Sequence, residues 1–401
     1  MVVRGSLDGQ PITLSLKRGA LTVALDERTV LAVDRAGRLW SFYAEGHHFR
    51  RGLNGSVLTK WSQEGVRQRR RLWRSESDLV VRRAALLMQA LRDRLTLETT
   101  PAHRSQAAPE VAYEILKILA RAADFDVQAA HADVDHYHQV YKPIGILPPD
   151  QYMALVLQVT EGCSFNTCTF CSFYKERPFR IKSPQELRAH IAAVRAYLDD
   201  SILMRKGVFV ADANALVVPQ RQMAELLEVV AEEMGKPQEI FAFLDGFSGQ
   251  KKAAEDYAAL AERGLRRVYV GLESGHDPLL AWVRKPGRAA DAVAAVRQMK
   301  AGGVSVGVIV LLGIGGKRFA KGHIRDTIAA VNQMELGLGD LLYFSEFIPA
   351  GTPYETHIAA PELSPLSRSQ MQAQREAIIS GLRLDERRPQ IATYDIREFV
   401  Y

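Results

Sequence analysis

This sequence predicts an α/β fold in which parallel strands joined by crossover helices follow a small β-rich plus helical module. Three observations predict it. From residue 153 onward, short β-favouring runs alternate with longer helical stretches. Residues 1–60 instead carry short apolar runs broken by turn signals. The chain has 401 residues, 47% hydrophobic and 24% charged, ordinary for a globular protein and long enough for two domains.

The first module is expected over residues 1–98. Its apolar runs are Ile12–Leu16, Leu21–Leu25, Val30–Val33 and Leu39–Tyr43, with turns at Asp34–Gly37 and Asn54-Gly55, as in a β-meander. A helix from about Asp78 to Leu95 follows, with Ser75 and Asp78 suited to its start. Residues 99–150 read as a helical linker and approach segment. Thr99–Pro109 is polar with two prolines, Pro109 opens a helix to about Ala123, and Leu147-Pro148-Pro149-Asp150 forbids regular helix or central strand.

Strands are expected at Ala154–Thr160, Gly207–Ala211, Glu239–Leu244, Arg267–Leu272, Val304–Leu312 and Leu341–Phe347. Helices are expected near 183–199, 219–235, 250–263, 288–302 and 321–336. Six such units imply parallel pairing, because a parallel strand needs a crossover long enough to hold a helix. A partial barrel and an open doubly wound sheet both fit this alternation over residues 151–358. Residues 359–401 read as a helical extension.

Charge is unevenly placed. Residues 1–100 hold 18 Lys and Arg against 10 Asp and Glu, whereas the whole chain carries a net charge of +6. The excess gathers at Arg67, Arg69, Arg70, Arg71 and Arg74, with Trp40, Trp61 and Trp73 interleaved. Such a surface suits an anionic partner, RNA or an acidic face, with a solvated face and anchored aromatics as the alternative. Met1 is followed by mixed polar residues, and the longest apolar stretch, near Val304–Ile314, is too short to span a bilayer. A cytoplasmic protein without a transmembrane segment is the expectation.

All three cysteines, Cys163, Cys168 and Cys171, fall in one short window just after the first expected parallel strand. Clustered thiols of odd number point to metal rather than to a disulfide framework. No histidine sits beside them, the next being His190 and His276, so a compact zinc knuckle is disfavoured. Three thiolates on one loop suit three corners of an iron–sulfur cube, leaving one iron open.

The segment Cys163-x4-Cys168-x2-Cys171, with Phe170 just before the last cysteine, resembles the cluster loop of the radical S-adenosylmethionine (SAM) superfamily. The usual spacing there is C-x3-C-x2-C, so this chain has one extra residue. Val270-Gly271-Leu272-Glu273-Ser274-Gly275 is similar to the G-x-E-S segment of the subgroup with anaerobic coproporphyrinogen oxidase, the Elongator catalytic subunit and the methylthiotransferases. Gly307–Gly313 resembles the strand that packs on adenine, and Phe347–Pro353 the close of the sixth strand. Asp212 and Asn214 stand where that superfamily has a motif touching the SAM amino group, without its glycines.

The resemblance covers about residues 151–358 and implies a partial (β/α)6 TIM-like barrel. It implies a [4Fe–4S] cluster on Cys163, Cys168 and Cys171, and SAM contacts from Phe170, Asp212, Asn214, Glu273, Ser274, Val308 and Gly313. It further implies reductive cleavage of SAM to a 5′-deoxyadenosyl radical, hydrogen abstraction from a substrate, and a one-electron reductant such as flavodoxin or ferredoxin. Tyr343 and Glu346 are candidate hydrogen or proton relays, with packing or capping as the alternative. Asp212, Asn214 and Asp245 also suit helix capping.

With all three cysteines in one loop, none remains for an auxiliary cluster or a cysteine-based methyl transfer, and residues 1–150 show no cobalamin signature. His131, Asp133, Asp135, His136 and His138 form a second ligand-type run, for which a polar surface is the simpler reading. A non-catalytic iron–sulfur protein that senses or binds nucleic acid is the competing function.

Overall fold

The computed structural model describes residues 1–97, 109–235, 239–249, 251–357, 363–384 and 388–401. The expected linker 99–108, residue 250 and residues 358–362, where the barrel was expected to end, lie outside the described residues. The described chain divides into two compact units.

The first unit comprises Met1–Ile144, Ala192–Lys206 and Arg397–Tyr401. Its sheet is an antiparallel meander of eight consecutive strands, from Val2–Leu7 to Val66–Arg71, with Leu95–Leu97 added beside the first. It runs beyond the four runs expected within residues 1–60. Two-residue hairpins such as Asp8-Gly9 and Glu64-Gly65 have positive φ at both positions, which matches the twist of the flanking strands. Alternate residues point inward, so Val3, Leu14, Leu21, Val23, Leu31 and Phe42 are buried. Helices Arg74–Arg94 and Pro109–Ala123 cover that face with Met88, Leu91, Ile115, Ile118 and Leu119. Residues 109–140 thus pack into the first unit's core rather than serving as a linker.

The first helix starts earlier than Ser75 and Asp78 suggest. Trp73 is its N-cap, and the Glu76 carboxylate accepts from the Trp73 backbone N–H at 2.8 Å. The arginine run is largely paired. Arg70 makes two bonds to Glu76, Arg69 faces Glu398, and Arg71 donates to the Phe399 carbonyl. The His131–His138 run lies on helix Val127–Val140, where His131 pairs with Asp78, and Asp133 with Arg38 and Arg51.

The second unit comprises Gly145–Ile191 and Gly207–Ile396. Seven parallel strands pair in chain order: β1 Leu155–Gln158, β2 Val208–Ala211, β3 Ile240–Asp245, β4 Leu265–Glu273, β5 Ser305–Leu312, β6 Leu341–Glu346 and β7 Gln390–Thr393. Helices Gln220–Met234, Ala254–Glu262, Ala289–Ala301 and Gly316–Met334 make crossovers, as a parallel sheet requires. This is the α/β partial barrel expected, extended by one strand. The expected helical extension 359–401 includes helix Arg368–Ser380 and then supplies β7, a short edge strand.

Two side-chain ties bridge the sheet. Asp150, in the turn before β1, accepts from Tyr343 of β6 at 2.8 Å, from Arg267 at 3.0 Å, and from the Tyr269 hydroxyl of β4. Tyr394, just past β7, donates its hydroxyl to the Leu147 carbonyl at 2.7 Å. Tyrosine suits both positions, because its ring fills apolar space while its hydroxyl reaches a buried acceptor.

Candidate active site

The loop after β1 is closed at its base by antiparallel pairing of Thr160-Glu161 with Arg180-Ile181. Glu161 accepts from Arg180 Nε and Nη2, each at 2.8 Å, and from Lys182 at 2.9 Å. Burial alone would raise its carboxyl, but the two cations outweigh that and hold it at about 2. The loop needs a left-handed residue at Gly162, with φ of 75°, and a β-carbon there would lie 2.8 Å from the Pro178 carbonyl oxygen.

Asp212, at the end of β2, fastens the same loop. It is 2% exposed and accepts from the Gly162 N–H and the Gln158 amide, each at 3.0 Å, while its own N–H donates to Thr160. Burial raises its pKa, opposed by Arg177, Gln158 and Gly162. Farther along, Thr169 donates its N–H to Val283 O at 3.0 Å, and its carbonyl accepts from Tyr354 N–H at 2.8 Å. The end of β2 and the segments that follow β4 and β6, far apart in sequence, therefore pin one loop.

Cys163, Cys168 and Cys171 all line one cavity of about 330 Å³ within this unit. Burial raises the Cys168 thiol and pushes Cys171 up to about 11, each with a further upward push from Cys163. Such thiols give up a proton when a metal arrives. Among the described residues, no three His, Cys, Asp or Glu side chains converge as a single metal ion requires. A cube, in contrast, takes each sulfur at a separate iron. Three thiols on one pinned loop, facing one space, fit that donor set.

The same cavity receives Phe170, Asn214, Asp245, Glu273 and Glu346. Asn214 donates to Ser164 Oγ at 3.1 Å and to an Asp245 carboxylate oxygen, and accepts from Asp245 N–H at 3.1 Å. Glu273 closes β4 at a register shift, with a left-handed φ of 59° that few non-glycine residues adopt. Its carboxylate lies 3.4 Å from Lys285 Nζ. Burial works to lower the Lys285 pKa, but Glu273, Cys168 and Asp245 outweigh it and the ammonium is stabilised. Lys285 also sits 5.9 Å from the centre of the Phe170 ring. Sequence reasoning missed Lys285, because a lysine just past a short helix reads as solvent-facing.

Other expected contacts lie away from the cavity surface. Asp212 faces the loop instead. Ser274 is fully buried and bonds His323 Nδ1 at 2.6 Å. On β5 the period of two turns Ile309 and Leu311 to the cavity, so Val308 faces the other way. Gly313 is a turn residue, φ 82°, whose N–H donates to Gln374 at 2.8 Å. The Tyr343 hydroxyl is held by Asp150 rather than offered to the cavity. Glu346 lines the cavity with Arg368 3.8 Å away.

Residues 157–328 match the model of the radical SAM superfamily. No curated protein sequence matches the chain. Among solved structures, methylornithine synthase (PylB) is 16% identical, covers 63% of this chain and 68% of its own, and has a TM-score of 0.38. Coproporphyrinogen III oxidase (HemN) from Escherichia coli is 12% identical over 57% of this chain and 51% of its own, with a TM-score of 0.42. Streptococcus suis SuiB is 12% identical over 87% of this chain and 71% of its own, with a TM-score of 0.39. Among the described residues no helix is long and apolar enough to cross a membrane. Residues 157–328 thus form a radical SAM domain, and enzymes of that superfamily use a [4Fe–4S] cluster and SAM.

Proposed function

We propose that Cys163, Cys168 and Cys171 hold the cluster, and that the chain cleaves SAM reductively to abstract a hydrogen atom from a substrate. When bound, the reduced cluster supplies the electron that splits SAM into methionine and a 5′-deoxyadenosyl radical. The observation that carries this reading is the meeting of three loop cysteines with Asn214, Glu273 and Lys285 around one cavity. Asn214 and Asp245 present polar atoms suited to the ammonium of an amino acid. Lys285 supplies a cation beside Cys168 for its carboxylate, and Glu273 keeps that cation in place. Phe170 shields the cluster side with an apolar ring. A one-electron reductant such as flavodoxin or ferredoxin completes the reaction.

The test is anaerobic reconstitution with iron and sulfide, then dithionite and SAM, with chromatography for 5′-deoxyadenosine. Wild type forms the nucleoside and Cys168→Ala does not. A cluster that assembles but neither binds nor cleaves SAM overturns the proposal in favour of a non-catalytic iron–sulfur protein.

A further inference from the structure

Much of the cavity wall contributed from outside the cysteine loop is apolar or aromatic. It is built by Ile146, Phe243, Tyr269, Ile309, Tyr394 and Ile396. Ile146 precedes β1, and Tyr394 and Ile396 follow β7, so three of the six lie outside the six repeated β/α units. Both tyrosines are tethered by their hydroxyls. Tyr269 donates to Asp150 and Tyr394 to the Leu147 carbonyl, at 2.7 Å for the latter. A phenol so engaged offers the cavity its ring carbons and not a free donor. Burial raises the pKa of both phenols, so they stay neutral. Tyr269 further packs edge-on against Phe243, with ring centres 6.0 Å apart.

The charges on the cavity lining have a clear sign. Its carboxylates are Asp245, Glu273 and Glu346, and its cation, Lys285, is paired with Glu273. With Lys285 held by Glu273 and assigned to the SAM carboxylate, a further anion entering this space would lose hydration and meet no second cation among the described lining residues.

We infer that this wall is the substrate subsite, and that it takes a neutral, apolar, ring-sized part of the substrate while rejecting anionic groups such as phosphate or sulfonate. The inference rests on reading the cavity as the reaction chamber. Aromatic rings would stack or meet edge-on with Tyr269, Tyr394 and Phe243, and the isoleucines would close the sides.

A matched pair of fluorescent probes tests this with the full reconstituted chain and saturating SAM. N-phenyl-1-naphthylamine is neutral, and 8-anilino-1-naphthalenesulfonate carries the same rings with an anion. The neutral probe is expected to bind at least about tenfold more tightly, and Ile396→Asp to weaken it by about tenfold or more. Tyr394→Phe, which keeps the ring but frees the Leu147 carbonyl, serves as a second variant and retains binding within about threefold. Equal affinity for the two probes, tighter binding of the sulfonate, or neutral-probe binding unchanged in Ile396→Asp overturns the inference. Nucleoside formation by the wild type is measured separately, so failure of SAM cleavage is distinguishable from failure of this subsite.

Discussion

The hydroxyl of Ser274 and Nδ1 of His323 lie 2.6 Å apart, both wholly buried, behind the turn that carries Glu273. Two more ties join that turn to helix Gly316–Met334. Gly275 N–H donates to Thr327 Oγ1 at 2.9 Å, and His276 Nδ1 meets Asp326 at 2.6 Å. A left-handed glutamate persists only where its surroundings hold it, so His323 is a positioning residue for Glu273. His323→Ala is expected to weaken SAM binding by about tenfold, roughly 1.4 kcal/mol, while iron content stays near wild type. Equilibrium dialysis with SAM beside iron quantification checks this, and unchanged affinity would refute it.

Burial lowers the His323 pKa to about 4, from an ordinary value of 6.5. The unfolded chain therefore takes up a proton below 6.5 while the folded chain resists until about 4. This group costs no stability above that window, and stability falls as pH drops through it, by about 3 kcal/mol at most. Urea midpoints of the cluster-free protein across pH 7 to 4, as a range of about three units, should fall less steeply in His323→Gln.

Asp212→Ala removes the acceptor of the Gly162 N–H and the Gln158 amide, leaving buried donors at a cost of about 1–3 kcal/mol. The loop would then sample geometries unfit for the cluster. Iron and sulfide per chain after reconstitution are expected to fall several-fold, with the far-ultraviolet circular dichroism kept. Full cluster loading would show that the loop does not need this anchor.

Lys285→Met strands the Glu273 carboxylate in a buried site without its cation. Breaking a buried pair from one side is more damaging than replacing both. SAM affinity is expected to drop at least about tenfold, with Lys285→Arg recovering part of it. Titration calorimetry under anaerobic conditions reads the result.

Tyr343→Phe separates a relay from a tether. The hydroxyl is bound to Asp150, so nucleoside formation should stay within about twofold of wild type while stability falls by about 1 kcal/mol. Loss of turnover at unchanged stability would restore the relay role.

The cysteines and the strand–helix alternation were legible in the sequence because spacing and period are local signals. β7 was not, since Gln390–Thr393 is short and edge-exposed and carries no apolar run. The strand Val66–Arg71 reads as a charge run because, as an exposed edge, it needs no inward apolar face. Lys285 and Asp150 escaped for another reason. Their partners are Glu273, 12 residues away, and Tyr269 and Tyr343, 119 and 193 residues away, relations that only the folded barrel creates. Among the SAM contacts expected, the one on β5, Val308, shows the same limit. A strand can be recognised without knowing which parity faces in, so Val308 was named where Ile309 and Leu311 face the cavity.

The cysteine loop is pinned at Gly162 by β2, at Thr169 by the backbone beyond β4 and β6, and at its base by Glu161 with Arg180 and Lys182. The contacts that hold it come from the barrel itself rather than from iron. A loop so held would need little further ordering on cluster assembly, which lowers the conformational entropy lost in that step. Variants that loosen any one pin should show this as slower, less complete uptake of iron by a barrel that is otherwise intact.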